Sequence, residues 1–190
     1  IVPYPAGGYA DSVTRTLAPR LQQAMGQPFV VENKPGANSI VGSEQVAKSA
    51  PDGYVILSAI VGHAVNATLH AERLPYDAVR SFAPVSLVAT APLVLAASSD
   101  LPVRNLKELI AHARKHPARL SYGSSGVGAG AHLTMEQLCR NEEVQLLHVP
   151  YKGGAPAVQA LLAGEIQLLA DVPAVLMPHI RAGKVKPIAV

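Results

Sequence analysis

Apolar positions along the chain follow two patterns: short continuous runs, and longer stretches in which they recur every three or four residues. The short runs predict strands and the longer stretches predict helices. Strands are predicted at 29–31, 54–57, 93–96, 120–122, 144–149, 166–169 and 186–190. Helices are predicted at 13–25, 105–116, 131–140, 156–162 and 174–181. This alternation is typical of an α/β fold with a mostly parallel sheet.

Several helix ends carry local signals. Asn105 and Glu108 have the spacing of a capping pair at the start of a helix. Gly164 and Gly183 stand where two later helices are predicted to end. Pro19 lies inside the first helical pattern, where it predicts either a kink or a boundary.

The polarity of the chain changes near residue 100, where an apolar run gives way to a polar segment. We place a boundary there, between a first lobe at 1–99 and a second lobe at 100–190. Two uncharged stretches, 54–71 and 81–99, are long enough to suggest membrane spans. Because polar residues interrupt the first and prolines the second, we interpret both as short buried strands joined by loops.

Composition excludes several classes of protein. Of 190 residues, 49% are hydrophobic and 15% are charged, which excludes a disordered chain. The formal net charge of +3 is spread along the chain and aromatic residues make up 4%, so no nucleic-acid partner is indicated. The single cysteine, Cys139, excludes a disulfide scaffold and a four-cysteine zinc site. The mild positive charge suits a small anionic ligand.

Two glycine-rich loops, at 5–12 and 122–132, each lie between a predicted strand and a predicted helix, one in each lobe. Glycine lets the backbone approach a ligand closely, and free N–H groups at the start of a helix attract anions. Neither loop brings an obvious acid–base pair or a metal-ligand cluster, which favours holding an anion over transforming one. The alternative for the first loop is a plain tight turn in which Asp11 is the N-cap.

The second loop also contains a nucleotide-binding pattern. Gly126, Gly128 and Ala131 satisfy G-x-G-x-x-A. That pattern needs an acidic residue at the end of the next strand, and no carboxylate stands near Val149. We therefore expect no dinucleotide cofactor.

An enzyme is the alternative class of function. Ser125, His132 and Asp171 are the residue types of a catalytic triad, but the second loop lacks the G-x-S-x-G turn of many hydrolases. His112 and His116 have the spacing of a zinc protease without its intervening glutamate. A small oxidoreductase or hydrolase stays as the alternative, because related α/β lobes serve both enzymes and binding proteins.

Eight short motifs, in order along the chain, carry a resemblance to a known family. They lie at 3–8 followed by Asp11, and at 31–37, 51–54, 74–77, 82–86, 124–133, 148–153 and 178–184. Together they resemble the substrate-binding proteins of tripartite tricarboxylate transporters, also called Bug or TctC-type receptors. The resemblance covers essentially the whole chain.

The resemblance implies the type II periplasmic binding protein fold, in which two Rossmann-like lobes close on a ligand like a flytrap. It implies a receptor with no catalytic residue, no metal and no cofactor. A small carboxylate ligand is then expected between Ala6-Gly7-Gly8 and Ser124-Ser125-Gly126, with ordered waters helping to bridge it. Four further residues are expected to border the same cleft: Tyr4, His63, His132 and Asp171.

The resemblance also implies a periplasmic protein that is not membrane-embedded and that delivers its ligand to a membrane permease or a sensor. Family members continue well beyond the strand that corresponds to 186–190. We therefore expect a nearly complete second lobe and a first lobe without its closing strand and helices. Such a lobe would expose a sheet edge or an apolar face, which invites oligomerisation or instability. Family members often carry Ser or Thr at the positions of Ala129, Gly130 and Ala131. Fewer hydroxyl groups there predict a less polar environment for the far end of the ligand.

Overall fold

A computed structural model describes residues 1–190. The chain divides into two compact units, Ile1–Thr90 and Ala91–Val190. This division lies earlier than the boundary predicted near residue 100, because the apolar run at 93–96 belongs to a strand inside the sheet of the second unit.

The first unit is built on three helices: α1 (Tyr9–Met25), α2 (Ile40–Ala47) and α3 (Val61–Leu69). Helix α1 carries the predicted apolar pattern and continues through Pro19. It ends at Gly26, whose φ of 67° is the left-handed conformation that commonly closes a helix. The apolar pattern does not predict α2 or α3, and α3 occupies part of the stretch 54–71, for which short buried strands are predicted.

The start of the chain lies between two extended segments of the first unit, 32–34 and 56–58. Val2 makes two backbone hydrogen bonds of 2.8 Å with the first segment. The N-terminal residue makes bonds of 2.9 and 2.7 Å with the second. The predicted strands at 29–31 and 54–57 are wrong, because regular pairing in this unit is confined to a single parallel bridge.

Much apolar surface of the first unit is uncovered. Tyr54, Val85 and Leu87 are 91%, 84% and 80% exposed. Of the stretch 81–99, for which short buried strands are predicted, residues 81–92 form no strand. Both clusters of buried apolar side chains lie in the second unit. These observations agree with a first lobe that lacks the elements needed to close its sheet.

The second unit is a five-stranded sheet with four helices. Its strands are β1 (Val94–Ser98), β2 (Ser121–Ser124), β3 (Leu147–Pro150), β4 (Leu168–Asp171) and β5 (Val185–Ala189). Its helices are α4 (Leu106–Lys115), α5 (Gly130–Asn141), α6 (Gly154–Leu162) and α7 (Pro173–Arg181). These elements confirm, within a few residues, the strands and helices predicted from residue 93 onward.

The strand order in this sheet is β3-β2-β4-β1-β5. Strand β2 pairs in parallel with β3 and β4, whereas β1 pairs antiparallel with β4 and β5. Successive residues of a strand point to opposite faces, and Leu168 and Leu169 enter different apolar clusters, so the sheet is covered on both sides. The carboxyl ends of β2, β3 and β4 share one edge, which brings together the loops that follow them.

Candidate functional site

The first glycine-rich loop is tied to α1 by Asp11, which is only 3% exposed. Its carboxylate accepts the N–H of Gly7 and the side-chain amide of Asn33, both at 2.9 Å. Arg15 donates its Nε–H to the two carboxylate oxygens at 3.0 Å. Burial acts to raise the pKa of Asp11, but these hydrogen bonds and the charge of Arg15 outweigh it, so the pKa lies below its ordinary value.

This network leaves the start of α1 open. The N-cap is Gly8, which makes no side-chain hydrogen bond, so the alternative of Asp11 as N-cap is wrong. The first N–H groups of α1 therefore have no side-chain acceptor. Gly7 has a φ of 79°, and no atom lies within 4 Å of the point where its Cβ would stand. A ligand can approach this backbone closely.

The second glycine-rich loop is organised by Ser124, whose side chain is fully buried at the end of β2. Its Oγ lies 3.0 Å from the carbonyl oxygen of Gly126 and 2.7 Å from Nε2 of His148, and accepts the N–H of Gly126 at 3.2 Å. A carbonyl oxygen can only accept, so Ser124 donates to Gly126 and His148 donates to Ser124. Because the histidine does not take the serine proton, this pair is not an activated nucleophile.

His148 lies in a stack of rings beside the second loop. Its ring centroid is 4.9 Å from that of Tyr122 and 4.1 Å from that of His132. His132 accepts the N–H of Gly128 on Nδ1 at 3.1 Å, which links α5 to the loop. Burial first, and then the neighbouring His132, lower the pKa of His148 against a smaller opposing effect of Glu136. The stack therefore favours the neutral form of His148.

Asp171 ends β4 at the same edge of the sheet. Its Oδ1 accepts the N–H of Val172 at 2.7 Å. Its Oδ2 lies only 2.5 Å from the point where a Cβ on Gly154 would stand, so glycine at 154 makes room for the carboxyl group. Burial raises the pKa of Asp171 against the opposing bond from Val172. One carboxyl oxygen thus stays available for a ligand.

Helix starts at this edge share a further property. Helices α5, α6 and α7 follow the three parallel strands, and none of their N-caps makes a side-chain hydrogen bond. Helix α4 differs, because Asn105 accepts the N–H of Glu108 at 2.9 Å, which confirms the predicted capping pair. Uncapped helix starts present free N–H groups and the positive end of the helix dipole. The edge therefore offers backbone donors to an anion.

The predicted site residues fall into two groups, one in each unit. In the first unit, His63 directs both ring nitrogens at protein atoms: Nε2 is 2.9 Å from the carbonyl oxygen of Ala78 and Nδ1 is 3.2 Å from Oγ of Ser43. In the second unit, the predicted residues occupy one edge of the sheet: Ser124, Ser125, Gly126, His132 and Asp171.

The arrangements needed for the enzyme alternatives are not formed. No hydrogen bond joins Ser125, His132 and Asp171. No group of three or more His, Cys, Asp or Glu side chains is placed to hold a metal ion. No helix combines the length and the apolar character needed to cross a membrane.

Motif reasoning missed several residues that shape the loops. Arg15 stands four residues after Asp11, a spacing that places both side chains on one helix face and carries a usable signal. Asn33 and His148 reach their partners across 22 and 24 residues, so spacing alone gave no signal for them. Gly154 could be found only from the position of Asp171.

An α/β unit with uncapped helix starts at the carboxyl edge of its sheet is an architecture that binds small ligands at that edge. The chain belongs to the TctC family, described as the tripartite tricarboxylate transporter family receptor, whose model matches residues 13–190.

Three solved structures are similar to the chain over nearly its whole length. The periplasmic binding protein BugD is 38% identical, with a TM-score of 0.89 over 99% of this chain and 62% of that one. Rpa4515 of R. palustris with adipate is 34% identical, with a TM-score of 0.91 over 99% and 63% of the two chains. MatC of Rhodopseudomonas palustris with bound malate is 30% identical, with a TM-score of 0.86 over 98% and 64%.

These likenesses confirm the type II periplasmic binding protein fold and overturn the enzyme alternative, because the family and its solved structures are solute-binding proteins. The chain spans 55–59% of the length of six curated relatives, to which it is 30–38% identical.

Proposed function

We propose that this chain is the ligand-binding part of a periplasmic receptor, which captures a small carboxylate and delivers it to a membrane permease or a sensor. Membership of the TctC family supports the receptor. The adipate of Rpa4515 and the malate of MatC support a carboxylate ligand. The observation that carries the proposal is the uncapped helix start behind each glycine-rich loop.

The proposed mechanism uses backbone donors in place of a charged side chain. Carboxylate oxygens accept N–H groups at the start of α1 in the first unit, and likewise at the start of α5 in the second, where the helix dipole also favours a negative charge. Asp11 holds the first loop and the Ser124–His148 pair holds the second in the free protein. Loops that are already ordered lose less entropy when they bind, which increases affinity.

The proposed binding residues are those expected from the resemblance. They comprise the two loops and four residues near them: Ala6, Gly7, Gly8, Ser124, Ser125, Gly126, Tyr4, His63, His132 and Asp171. Of these, Gly7 supports the proposal through its open backbone, and Gly8 supports it as the N-cap of α1 that makes no side-chain hydrogen bond. Ser125 supports it because its side chain is exposed and its hydroxyl makes no hydrogen bond to the protein.

A thermal-shift screen of small carboxylates tests this proposal, with adipate and malate first and their amides as controls. A ligand present at about 100 times its dissociation constant stabilises the fold by about 2.7 kcal/mol. We expect a rise in melting temperature with an acid and none with its amide. A Gly7→Val variant should lose that rise, because its added side chain is strained at a positive φ and covers the open backbone. A cooperatively melting protein that responds to no carboxylate would contradict the proposal.

A further inference from the structure

Two histidines at the end of α4 have no part in the site described above. His112 lies in the last turn of the helix, and His116, four residues later, is its C-cap. Side chains at this spacing are neighbours on one face of a helix. His116 is exposed and His112 is half-buried. Their ring centroids are 4.6 Å apart and their planes are tilted by 45°. The two rings therefore lie side by side at the surface of the second unit.

Free ring nitrogens distinguish this pair from three of the other histidines. His63 directs both ring nitrogens at protein atoms, and His132 and His148 each direct one. The hydrogen bonds of His112 and His116 are made by the backbone alone, which leaves both nitrogens of each ring free. A neutral imidazole has one nitrogen with a lone pair to give to a metal ion.

The separation of the two rings suits imidazoles bound to the same metal ion. A metal–nitrogen distance of about 2.0–2.1 Å places the centroids of two neighbouring ligand rings roughly 4.5–5 Å apart. The observed 4.6 Å falls in this range. Imidazole suits Cu²⁺, Ni²⁺ and Zn²⁺, whereas Mg²⁺ and Ca²⁺ take oxygen ligands.

The charges around the pair permit a cation. Both rings stand at the carboxyl end of α4, where the helix dipole favours positive charge. Arg114, on the same turn, donates to the carbonyl oxygen and the carboxylate of Glu142 at 2.9 and 3.1 Å, so its charge is paired. Glu108, one turn earlier, accepts a backbone N–H at the start of the helix and supplies no third ligand. The exposed Lys115 keeps the expected affinity moderate.

We infer that His112 and His116 form a chelating site for a divalent transition-metal ion, with water in the remaining coordination positions. This inference does not depend on the proposed function. Helix α4 ends just before β2 begins, so the pair lies toward the amino ends of the parallel strands, at the edge opposite the second glycine-rich loop. The metal ion would thus be held apart from the carboxylate.

Calorimetric titration of the untagged full chain with Cu²⁺, Ni²⁺ and Zn²⁺ tests the site, with Mg²⁺ as the control ion. His112→Gln and His116→Gln each remove one ligand. His179→Gln is the matched control, because His179 lies in the last turn of α7 with Val175 and Gly183, not histidines, four residues away.

We expect the wild type and the control to bind one ion, Cu²⁺ most tightly, and to bind no Mg²⁺. Either α4 variant should bind at least about ten-fold more weakly, because two linked ligands hold an ion far better than one. Electron paramagnetic resonance of bound Cu²⁺ should show two nitrogen ligands in the wild type. Melting temperatures without metal should match in all four proteins, since both replaced rings make no hydrogen bond to the protein.

Three results would overturn the inference. If both α4 variants bind these ions as tightly as the wild type, the ion is held elsewhere. An equal loss in His179→Gln would show that binding follows the number of histidines and not the pair. A wild type that binds none of the three ions would exclude the site, and the proposed function would stand in each case.

Discussion

Gly7 donates its backbone N–H to the carboxylate of Asp11 at 2.9 Å, which closes the first glycine-rich loop onto the helix that follows it. The same carboxylate is shared with Arg15 and Asn33. An ionised side chain thus sets the shape of a loop that has only backbone to offer a ligand. The shape of this loop should depend on the charge of Asp11.

Replacing Asp11 by Asn should destabilise the chain by about 1–3 kcal/mol at neutral pH, because Arg15 and Gly7 lose a charged, buried acceptor. The pKa of Asp11 is lowered in the folded state. Its contribution to stability is therefore present above pH 3.8, the ordinary pKa, and is lost as pH falls through the pKa of the folded state. Urea unfolding at pH 7 and at pH 3 measures both effects. The exposed Asp100→Asn is the control, and an equal change in both variants would contradict the prediction.

Replacing Asp171 by Asn should stabilise the protein without ligand at neutral pH. The pKa of Asp171 is raised, so the folded state holds the proton more firmly, and stability falls as pH rises from 3.8 through the folded value. Asn does not ionise, so the variant avoids this loss of stability, and its side-chain oxygen can still accept the N–H of Val172. Urea midpoints should therefore differ at pH 7 and converge near pH 3. A lower midpoint for the variant at pH 7 would show that the carboxylate is stabilising.

Acid sensitivity near pH 6 should depend on His148. The pKa of His148 in the folded state is lowered from its ordinary value of 6.5. As pH falls, the unfolded chain therefore takes up this proton before the folded chain does. Stability is lost between pH 6.5 and the pKa of the folded state. The groups that face it are Tyr122 on β2 and His132 and Glu136 on α5. His148→Gln should flatten the stability profile between pH 7 and 5, measured by thermal melting. An equal change in the exposed His116→Gln control would assign the effect elsewhere.

The second unit should fold without the first. Both clusters of buried apolar side chains lie within 94–189. A fragment of residues 91–190 is therefore expected to melt cooperatively, whereas residues 1–90 alone should show no cooperative transition because so much of their apolar surface is exposed. Circular dichroism melts of the two fragments measure this. A cooperative melt of 1–90 would show that its helices form a sufficient core.

Prediction from the sequence succeeded where the signals are local. In the second unit, β1 and β4 are buried apolar runs, and the pair Asn105 and Glu108 marks a helix start within four residues. In the first unit, the same rule failed at 54–57 and in the first part of the stretch 81–99, because an apolar run indicates a buried strand only when other elements cover it. Those runs are mostly exposed and form no regular strand.

The candidate site likewise contains residues that the sequence could predict and residues that it could not. The glycine-rich loops and Asp171 could be proposed from motifs, because loops at strand ends recur at fixed places in α/β folds. The groups that position those loops could not, since Asn33 and His148 act across long sequence separations.

The pairing of Leu95 with Ala189 places the entry of β1 beside the exit of β5. A module whose two ends lie on neighbouring strands can be inserted into a loop of another protein without stretching its host. The second unit could therefore be grafted between two residues of an unrelated scaffold, which would be joined to it through a pair of adjacent strands.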